Sequence, residues 1–418
     1  MITPDQTRRC SSENHREFAL QLHGGHATVR LPAVDITVMV VLVIVLALFF
    51  DFTNGFHDTA NAMATPIATG ALKPKTAVAL AAVLNLVGAF LSTEVAKTIS
   101  GGLIKEGDGG IQITPVMIFA GLLGAILWNM VTWLLGLPSS SSHALFGGLI
   151  GAAIVGAGFG AIDGGVLLSK IVLPALLAPL VAGLVAFLAT RIAYSVTKKK
   201  HRDGFRRGQV FTSSLVSLAH GTNDAQKTMG VITLTLIAGG FQASGSGPEI
   251  WVIALCALAI ALGTYTGGWR IIRTMGRGLT EIEPAQGFAA ETVTAATILA
   301  SSHLGFALST TQVSSGSVIG TGIGRKGASV RWRTAGRIAI GWVITIPAAG
   351  LVGALAAWVA LGGLAGIIVD ALVATVVIGG IFIYSRRNRV DARNVHVEPT
   401  VLVRPKKRGK KNKQGLPR

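Results

Sequence analysis

Apolar runs of helical length recur along most of the chain and constrain its fold more than any other feature. A membrane-spanning helix needs about 20 apolar residues. We place candidate segments at 36–50 (continuing with interruptions to 70), 76–94, 113–136, 142–158, 166–196, 209–243, 250–268, 286–306, 312–324, 338–360 and 364–384. Only 13% of the residues are charged, against about 25% in a soluble domain. The sequence therefore predicts an all-α integral membrane protein with about 11–12 membrane segments.

Two other classes of protein do not fit these patterns. Strands of a membrane barrel alternate apolar and polar residues, whereas the apolar runs here are continuous. The net charge of +18 resides mainly in basic clusters at 198–202, 325–337 and 386–418. Such clusters are typical of the cytoplasmic loops of membrane proteins. We therefore expect a lipid bilayer around the protein and no nucleic-acid partner.

The two ends of the chain are polar. Residues 1–35 lack the apolar core of a signal peptide, and we expect a disordered N-terminal tail there. Residues 386–418 form a predicted basic cytoplasmic tail. The only cysteines are Cys10 and Cys256, too few for a disulfide framework or a cysteine-based metal cluster. We predict neither a metal site nor a cofactor.

Two motifs occur twice in the same order. The segment 55–63 resembles 221–229, with Gly, Asp and Met at the same spacing. The segment 140–144 (Ser-Ser-Ser-His-Ala) resembles 309–313 (Ser-Thr-Thr-Gln-Val), and a glycine-rich helix is predicted after each. Recurrence of both motifs in one order indicates an internal duplication.

The basic loops fix the orientation of the two copies. If the loops at 198–208, 270–278 and 325–337 are cytoplasmic, the first copy begins outside and the second begins inside. This is an inverted-topology repeat with broken helices, a plan that places a transport site between the repeats near the bilayer midplane. The predicted divisions are a first repeat at 36–196, a basic cytoplasmic loop at 197–208, a second, inverted repeat at 209–360 and an extra membrane helix at 361–385.

Asp58 and Asp224 lie at matched positions inside otherwise apolar segments. A central Asp costs about 2.5–3.5 kcal/mol on membrane insertion, so two accidents at matched positions are improbable. The alternative is an aspartate that caps a helix or reaches the membrane interface. A deprotonated Asp beside Asn carbonyls suits Na⁺, or it accepts a proton. We expect both residues to bind a coupling ion.

Serine- and threonine-rich runs at 139–142 and 309–311 each break a predicted helix in two. A helix N-terminus favours anions through its free N–H groups and its dipole, although ordinary N-capping is the alternative. Related by the inverted repeat, the two N-termini can point at one tetrahedral oxyanion. Near neutral pH, phosphate keeps at least one O–H group, which can donate a hydrogen bond to Asp58 or Asp224. Sulfate has no such proton. Transport of another oxyanion, such as sulfate or arsenate, and a passive anion channel remain alternatives.

Weaker candidates surround the two acids. Lys227 shares a helical face with Asp224 and either neutralises it or contacts the anion, and Asn61 has the matching place in the first copy. His57 and His143 are candidate proton relays or buried structural histidines. The pair Ser142–His143 does not indicate a serine hydrolase, because neighbours on a helix do not face each other. We predict that the protein is not an enzyme.

The long motifs resemble those of a known family. Residues 52–62 (FTNGFHDTANA) and 220–227 (HGTNDAQK) resemble the two signature repeats of the PiT family of inorganic phosphate transporters. Residues 138–143 and 309–312 resemble the paired breaks of that family, and 263–268 and 287–291 also match its pattern. The resemblance extends over residues 36–384.

The resemblance implies symport of phosphate, free or as a metal–phosphate complex, with H⁺ or Na⁺. It implies alternating access, a homodimer and a place in the plasma membrane. The implied phosphate contacts are Ser140, Ser141, Ser142, Ser309, Thr310 and Thr311. The coupling-ion candidates are Asp58, Asn223 and Asp224, to which we add His57 and Asn61. Glu94 and Glu291 are implied as further functional acids.

The chain also departs from the family pattern. Gln312 stands where the family usually has His, which argues against a proton role for that position in the second copy. Ala307 replaces a proline that often precedes the second break. His57 replaces the signature Asn, which favours protons over a symmetric cation site.

Overall fold

The computed structural model describes residues 35–102, 113–196 and 202–395. Within these ranges the chain forms helices joined by loops, without a β-strand, and the predicted all-α class is confirmed. The helices are α1 (Ile36–Ala68), α2 (Pro74–Gly88), α3 (Glu94–Gly102), α4 (Pro115–Leu135), α5 (Ser141–Ala157), α6 (Gly164–Val166), α7 (Leu173–Val196), α8 (Arg202–Ala238), α9 (Ile250–Thr266), α10 (Trp269–Arg273), α11 (Pro284–His303), α12 (Thr310–Gly324), α13 (Trp332–Ala360) and α14 (Leu364–Ser385).

Helix α1 is continuous, so the prediction of an interrupted segment between 50 and 70 was wrong. Asp35 caps its first turn by accepting a hydrogen bond from the backbone N–H of Thr37 (2.7 Å). The only proline of the helix, Pro66, comes near its C-terminal end. The hydrogen bond that proline cannot donate is therefore lost only in the last turns. The polar residues of the first motif accordingly lie on a regular helix and are buried.

Both predicted helix breaks are present. α4 ends at Leu135 and is followed by Gly136, whose positive φ of 63° gives the left-handed conformation that favours glycine. α5 begins after Ser140, whose side chain caps it. In the second copy the chain turns at Gly305 (φ 71°) after α11, and Ser309 caps α12. Two helix N-termini are thus formed where the sequence predicts them.

Five helices within the described residues are long and apolar enough to cross a membrane. A sixth span arises if α9 and the bent segment Trp269–Gly278 count together. α2 and α5 are apolar but shorter, while α8 is long and carries the polar second motif. Among the described residues, fewer helices meet these length and hydropathy limits than the 11–12 predicted segments, because the helices that carry the motifs and breaks are short or polar.

Large apolar side chains are exposed on the outer faces of several helices, notably Leu180 on α7, Val343 on α13 and Val376 on α14. Exposure of such side chains suits helices surrounded by lipid. The outer surface thus agrees with a multi-pass membrane protein.

Some segments predicted as loops are helical. α8 begins at Arg202, inside the predicted loop 197–208, and α13 begins at Trp332, inside the loop 325–337. The predicted loop 270–278 is instead a short helix followed by a π-helical turn, Thr274–Gly278. Basic side chains are compatible with helix, so their clustering does not show where a helix ends. Residues 1–34, 103–112, 197–201 and 396–418 lie outside the described residues.

The helices that carry the first motif pack in matched pairs. α1 packs against α9, and α8 packs against α2. A Cβ atom placed on Gly55 would lie 2.3 Å from Ile260 O, and one on Gly221 would lie 2.2 Å from Asn85 O. Each motif thus uses its glycine for a backbone-to-backbone crossing. The same contact in both copies supports the internal repeat.

The helices that follow the breaks repeat this arrangement. α5 packs against α13, and α12 packs against α7. A Cβ atom on Gly151 would lie 1.9 Å from Gly350 O, and one on Gly320 would lie 2.0 Å from Gly183 O. Helices in membranes associate through such close contacts between small residues. The backbones therefore fix where each helix N-terminus lies.

Replacing Gly151 with Ala should lower the stability of the folded protein. The added methyl would clash with the backbone of Gly350, and the clash is relieved only if α5 and α13 move apart. Overpacking of this kind costs about 1–3 kcal/mol. Thermal melting in detergent, followed by size-exclusion chromatography, measures the change. Gly379→Ala on α14 is the control, because no heavy atom lies within 4 Å of that added Cβ. Equal melting temperatures for the two variants would contradict this account of the crossing.

Candidate functional site

The N-termini of α5 and α12 meet the middle of α1 and α8 around two buried acids. Asp58 and Asp224 have exposed fractions of 2% and 0%. Their carboxylates accept hydrogen bonds from hydroxyls of both broken helices. The structure therefore brings together the acids and the serine and threonine runs that the sequence singled out.

Asp58 is held by partners from both copies. Its Oδ2 accepts from Ser141 Oγ (2.9 Å), and its Oδ1 accepts from Thr311 Oγ1 (3.2 Å). The neighbouring His57 places Nδ1 2.6 Å from Asp58 Oδ1. The other ring nitrogen of His57 lies 3.3 Å from Thr132 Oγ1. The His57–Asp58 pair is thus a unit that can hold a proton between an imidazole and a carboxylate.

Asp224 has the corresponding environment in the second copy. Its Oδ2 accepts from Thr310 Oγ1 (3.0 Å), and its Oδ1 accepts from Asn223 Nδ2 (3.0 Å). Asn223 therefore takes the place that His57 has beside Asp58. Lys227 also donates to Asp224 Oδ1. This second acid, unlike the first, has a permanent positive charge as partner.

Lys227 is buried, and three acceptors surround its ammonium group. Besides Asp224, it donates to Ser142 Oγ (2.6 Å) and to the backbone oxygen of Leu308 (3.1 Å). Each of its three N–H bonds therefore has an acceptor. In this arrangement Lys227 neutralises Asp224 and ties α8 to both helix breaks. Of the two predicted roles, the geometry favours charge neutralisation over contact with an anion.

Asn61 has the matching place in the first copy and bridges to the second. Its Nδ2 donates to Thr310 Oγ1 (3.2 Å) and Thr311 Oγ1 (3.1 Å). Each of these hydroxyls in turn donates to one of the two acids. The two threonine hydroxyls thus link the amide of Asn61 to the two carboxylates through hydrogen bonds.

Ser140 and Ser309 use their hydroxyls differently from their neighbours. Ser140 Oγ accepts from the backbone N–H of His143 (3.2 Å), and Ser309 Oγ accepts from that of Gln312 (3.3 Å). These are N-caps, as the alternative interpretation of the runs proposed. His143 is itself buried at the first turn of α5. The capped first turns leave the next hydroxyls, such as Ser141 and Thr310, to face the acids.

His220 also belongs to this cluster, although in the sequence it stands out only as the first residue of the motif 220–227. Its Nε2 lies 2.9 Å from Asp224 Oδ2, and its Nδ1 lies 3.3 Å from Asn85 Oδ1. His220 thus lies between the central acid of the second copy and the buried amide of α2. Its position four residues before Asp224, one helical turn away, was the signal in the sequence. The ligand atoms of Asp58, His220 and Asp224 all lie within 4.8 Å of one another, close enough to contact one cation.

Glu291 forms a separate buried centre. Its carboxylate accepts from Thr65 Oγ1 (2.6 Å), Gln209 Nε2 (3.0 Å) and the hydroxyl of Thr212. These donors lie on α1 and α8, so Glu291 of α11 joins the two helices that carry the central acids. Glu291 therefore lies beside the helices that carry the motifs, but none of these three hydrogen bonds joins it to the central cluster.

Glu94, the other acid that the family resemblance implied, does not join the central cluster. It begins α3, and its side chain is 53% exposed. Its carboxylate pairs with Lys97 (2.8 Å), one turn further along the same helix. The apolar segment around 76–94 ends at Gly88, so Glu94 falls on the next, more polar helix.

An all-α membrane protein in which two broken helices present hydroxyls to two central acids has the architecture of a transporter. Comparison with known proteins agrees. The model of the phosphate transporter family matches residues 54–203 and again residues 193–353. The double match fits the duplicated motifs.

Relatives of known description cover most of the chain. A "Probable low-affinity inorganic phosphate transporter" of Mycobacterium bovis is 53% identical over 367 residues, which is 86% of this chain and 87% of the relative. A protein of the same description from Bacillus subtilis is 43% identical over 327 residues, 76% of this chain and 96% of the relative. The chain therefore belongs to the phosphate transporter family. These relatives are transporters and not enzymes, as predicted.

A solved structure shows the same fold. It is described as "The sodium-dependent phosphate transporter" and aligns with a TM-score of 0.70 at 22% identity. The alignment covers 78% of this chain and 100% of the other. At this identity the likeness establishes the arrangement of helices.

Proposed function

We propose that the protein is a secondary active transporter that takes up inorganic phosphate by symport with H⁺ or Na⁺ through alternating access. The observation that carries this proposal is the convergence of hydroxyls from both helix breaks on Asp58 and Asp224. Family membership supports the substrate. We further propose that the protein acts in the plasma membrane as a homodimer.

The hydrogen bonds suggest how a cation and an anion are coupled. Ser141, Thr310 and Thr311 donate their only hydroxyl protons to the two carboxylates. A phosphate oxygen needs the same donors, so the carboxylates and the anion compete for them. A proton or Na⁺ bound at a carboxylate removes its demand for donors and releases the hydroxyls toward phosphate. Anion binding then depends on cation binding, as symport requires.

Charge reinforces this coupling. A phosphate anion brought next to two carboxylates experiences repulsion that a low-dielectric interior screens poorly. Lys227 offsets one of the two negative charges. Cations at the remaining sites reduce the repulsion further, and a neutral metal–phosphate complex would avoid much of it. Phosphate, which carries a proton near neutral pH, can also donate to a carboxylate, whereas sulfate cannot.

The matched helices provide a route to alternating access. α5 and α13 form one closely packed pair and α12 and α7 form another. Transporters built from repeats move such units largely as rigid bodies around a fixed site. The hydrogen bonds of Asn61 and Lys227 to the breaks cross between the copies, so they are the contacts that the movement must remake.

Uptake of labelled phosphate into liposomes that contain the purified protein tests this proposal. Imposed gradients of pH and of Na⁺, applied separately at clamped voltage, identify the coupling ion. Excess sulfate should leave uptake unchanged. Inhibition by sulfate equal to that by unlabelled phosphate would support a general oxyanion transporter. Uptake that is insensitive to collapse of both gradients would instead indicate a passive anion channel.

A further inference from the structure

Asp51 is a buried acid that the central site does not use. It lies on α1 with an exposed fraction of 0%. Neither of its carboxylate oxygens has a hydrogen-bond partner among the residues that the structure describes. It precedes Asp58 by seven residues, two helical turns or roughly 10 Å along the axis. Asp51 is therefore on the same face of α1 as Asp58, but outside the reach of its hydroxyl donors.

Two further side chains bring oxygen atoms to the surroundings of Asp51. Asn54, one turn along the same face, has a buried Oδ1 without a hydrogen-bond partner, and the buried hydroxyl of Thr228 on α8 is directed at Asp51. Thr228 faces Asp51 across the contact between α1 and α8. The titratable groups that face Asp51 are Asp224 and Lys227 of α8 and Cys256 of α9.

A charged carboxylate in this position is costly. An ionised group without a counter-ion or hydrogen bonds is strongly disfavoured in an apolar interior, and an Asp inside a membrane costs about 2.5–3.5 kcal/mol on insertion. A structural role would normally supply a cap, an ion pair or a bridging hydroxyl, as Glu291 has from Thr65. Asp51 is offered one hydroxyl, that of Thr228, against the three donors around Glu291, so its carboxylate still needs a positively charged partner or a proton.

We infer that Asp51, with Asn54 and Thr228, is a second binding site for a monovalent cation, separate from the site at Asp58 and Asp224. Carboxylate, amide and hydroxyl oxygens are hard ligands suited to Na⁺, and the carboxylate is equally a proton acceptor. This inference rests on the proposed symport of phosphate. Asp51 neutralised by its cation relieves the repulsion that it exerts on Asp224 across α8, so its occupancy promotes loading of the central site.

The number of cations carried per phosphate tests this second site. At zero voltage, the final ratio of internal to external phosphate equals the cation ratio raised to that number. For a tenfold cation gradient, the loss of one cation in Asp51→Asn should lower the final phosphate ratio about tenfold. The measurement is made in liposomes with a pH gradient in Na⁺-free buffer and, separately, with a Na⁺ gradient at equal pH. The gradient that shows the loss identifies the ion.

Exchange of labelled for unlabelled phosphate, without any gradient, is the companion measurement. Asp51→Asn should retain exchange, because binding and crossing of phosphate use the central site. Thr228→Val should keep the final ratio and raise the cation concentration for half-maximal uptake. Asp370→Asn is the matched control, since it removes another buried acid with an unpartnered oxygen, on the peripheral helix α14, and should leave the ratio unchanged.

Two outcomes overturn the inference. An unchanged final ratio in Asp51→Asn shows that no cation depends on this acid. Loss of exchange together with uptake, in a variant that elutes like the wild type, assigns Asp51 to phosphate binding or packing instead. Failure of the proposed function itself is distinguishable, because the wild-type protein would then accumulate no phosphate under either gradient.

Discussion

Replacing Asp224 with Asn should abolish gradient-driven phosphate uptake and also destabilise the folded protein. The loss of uptake follows because a neutral amide neither takes up a proton nor provides a charged oxygen for Na⁺. The loss of stability follows because Lys227 remains buried without its counter-ion. Breaking a buried ion pair from one side costs about 3–5 kcal/mol. Liposome uptake and thermal melting in detergent measure the two effects.

A double variant separates these effects. Asp224→Asn combined with Lys227→Gln removes both charges and keeps an N–H donor for Ser142 and Leu308, the remaining partners of Lys227. Melting should recover most of the loss, while uptake should stay at background. If uptake returned together with stability, Asp224 would serve only to neutralise Lys227, and the coupling role proposed for it would be wrong.

The sequence predicted the parts of the site that repeat. Asp58 and Asp224 stood out because each is an acid in an apolar segment and because the duplication placed them in register. The breaks stood out because serine and threonine follow Leu137-Pro138 and Ala307-Leu308. The structure places all four elements together. Duplication was therefore the signal that located the centre of the protein.

Residues without a counterpart in the other copy were harder to predict. Asp51 corresponds to Ser217 if the two motifs are aligned on Gly55 and Gly221, so no repeat drew attention to it. A lone acid two turns before Asp58 was nevertheless a visible signal. The position of Glu94 outside the central cluster was also not predictable, since its exposure depends on where α2 ends and α3 begins. Hydropathy does not fix such boundaries within a few residues.

The different uses of the serine hydroxyls could not be predicted from composition. Both runs contain consecutive hydroxyl residues that are equivalent in sequence. Only the exact start of each helix makes Ser140 and Ser309 caps and turns Ser141 and Thr310 toward the acids. The resemblance to the PiT family implied that six serine and threonine residues of the two runs contact phosphate. The hydrogen bonds instead separate the caps, Ser140 and Ser309, from residues such as Ser141 and Thr310 that donate to the acids.

That division predicts unequal effects on phosphate affinity. Ser141→Ala combined with Thr311→Val removes both hydroxyl donors of Asp58 and, in the proposed loaded state, two donors to the anion. A hydrogen bond to a charged group is worth about 1.5–3 kcal/mol, which is roughly a 10- to 150-fold loss of affinity for each donor. The KM for phosphate uptake should rise accordingly, and the melting temperature should also fall, because the buried carboxylate of Asp58 loses two donors.

The capping serines provide the comparison. Ser140→Ala combined with Ser309→Ala removes two N-caps, each worth about 0.5–2 kcal/mol of stability. The melting temperature should therefore fall, and KM should rise much less than in the Ser141/Thr311 variant. An equal rise of KM in both double variants would mean that the caps also bind the anion, as the family resemblance implies. The ratio of the two KM values thus measures whether phosphate is held by the first turns as a whole or mainly by the hydroxyls that the acids release.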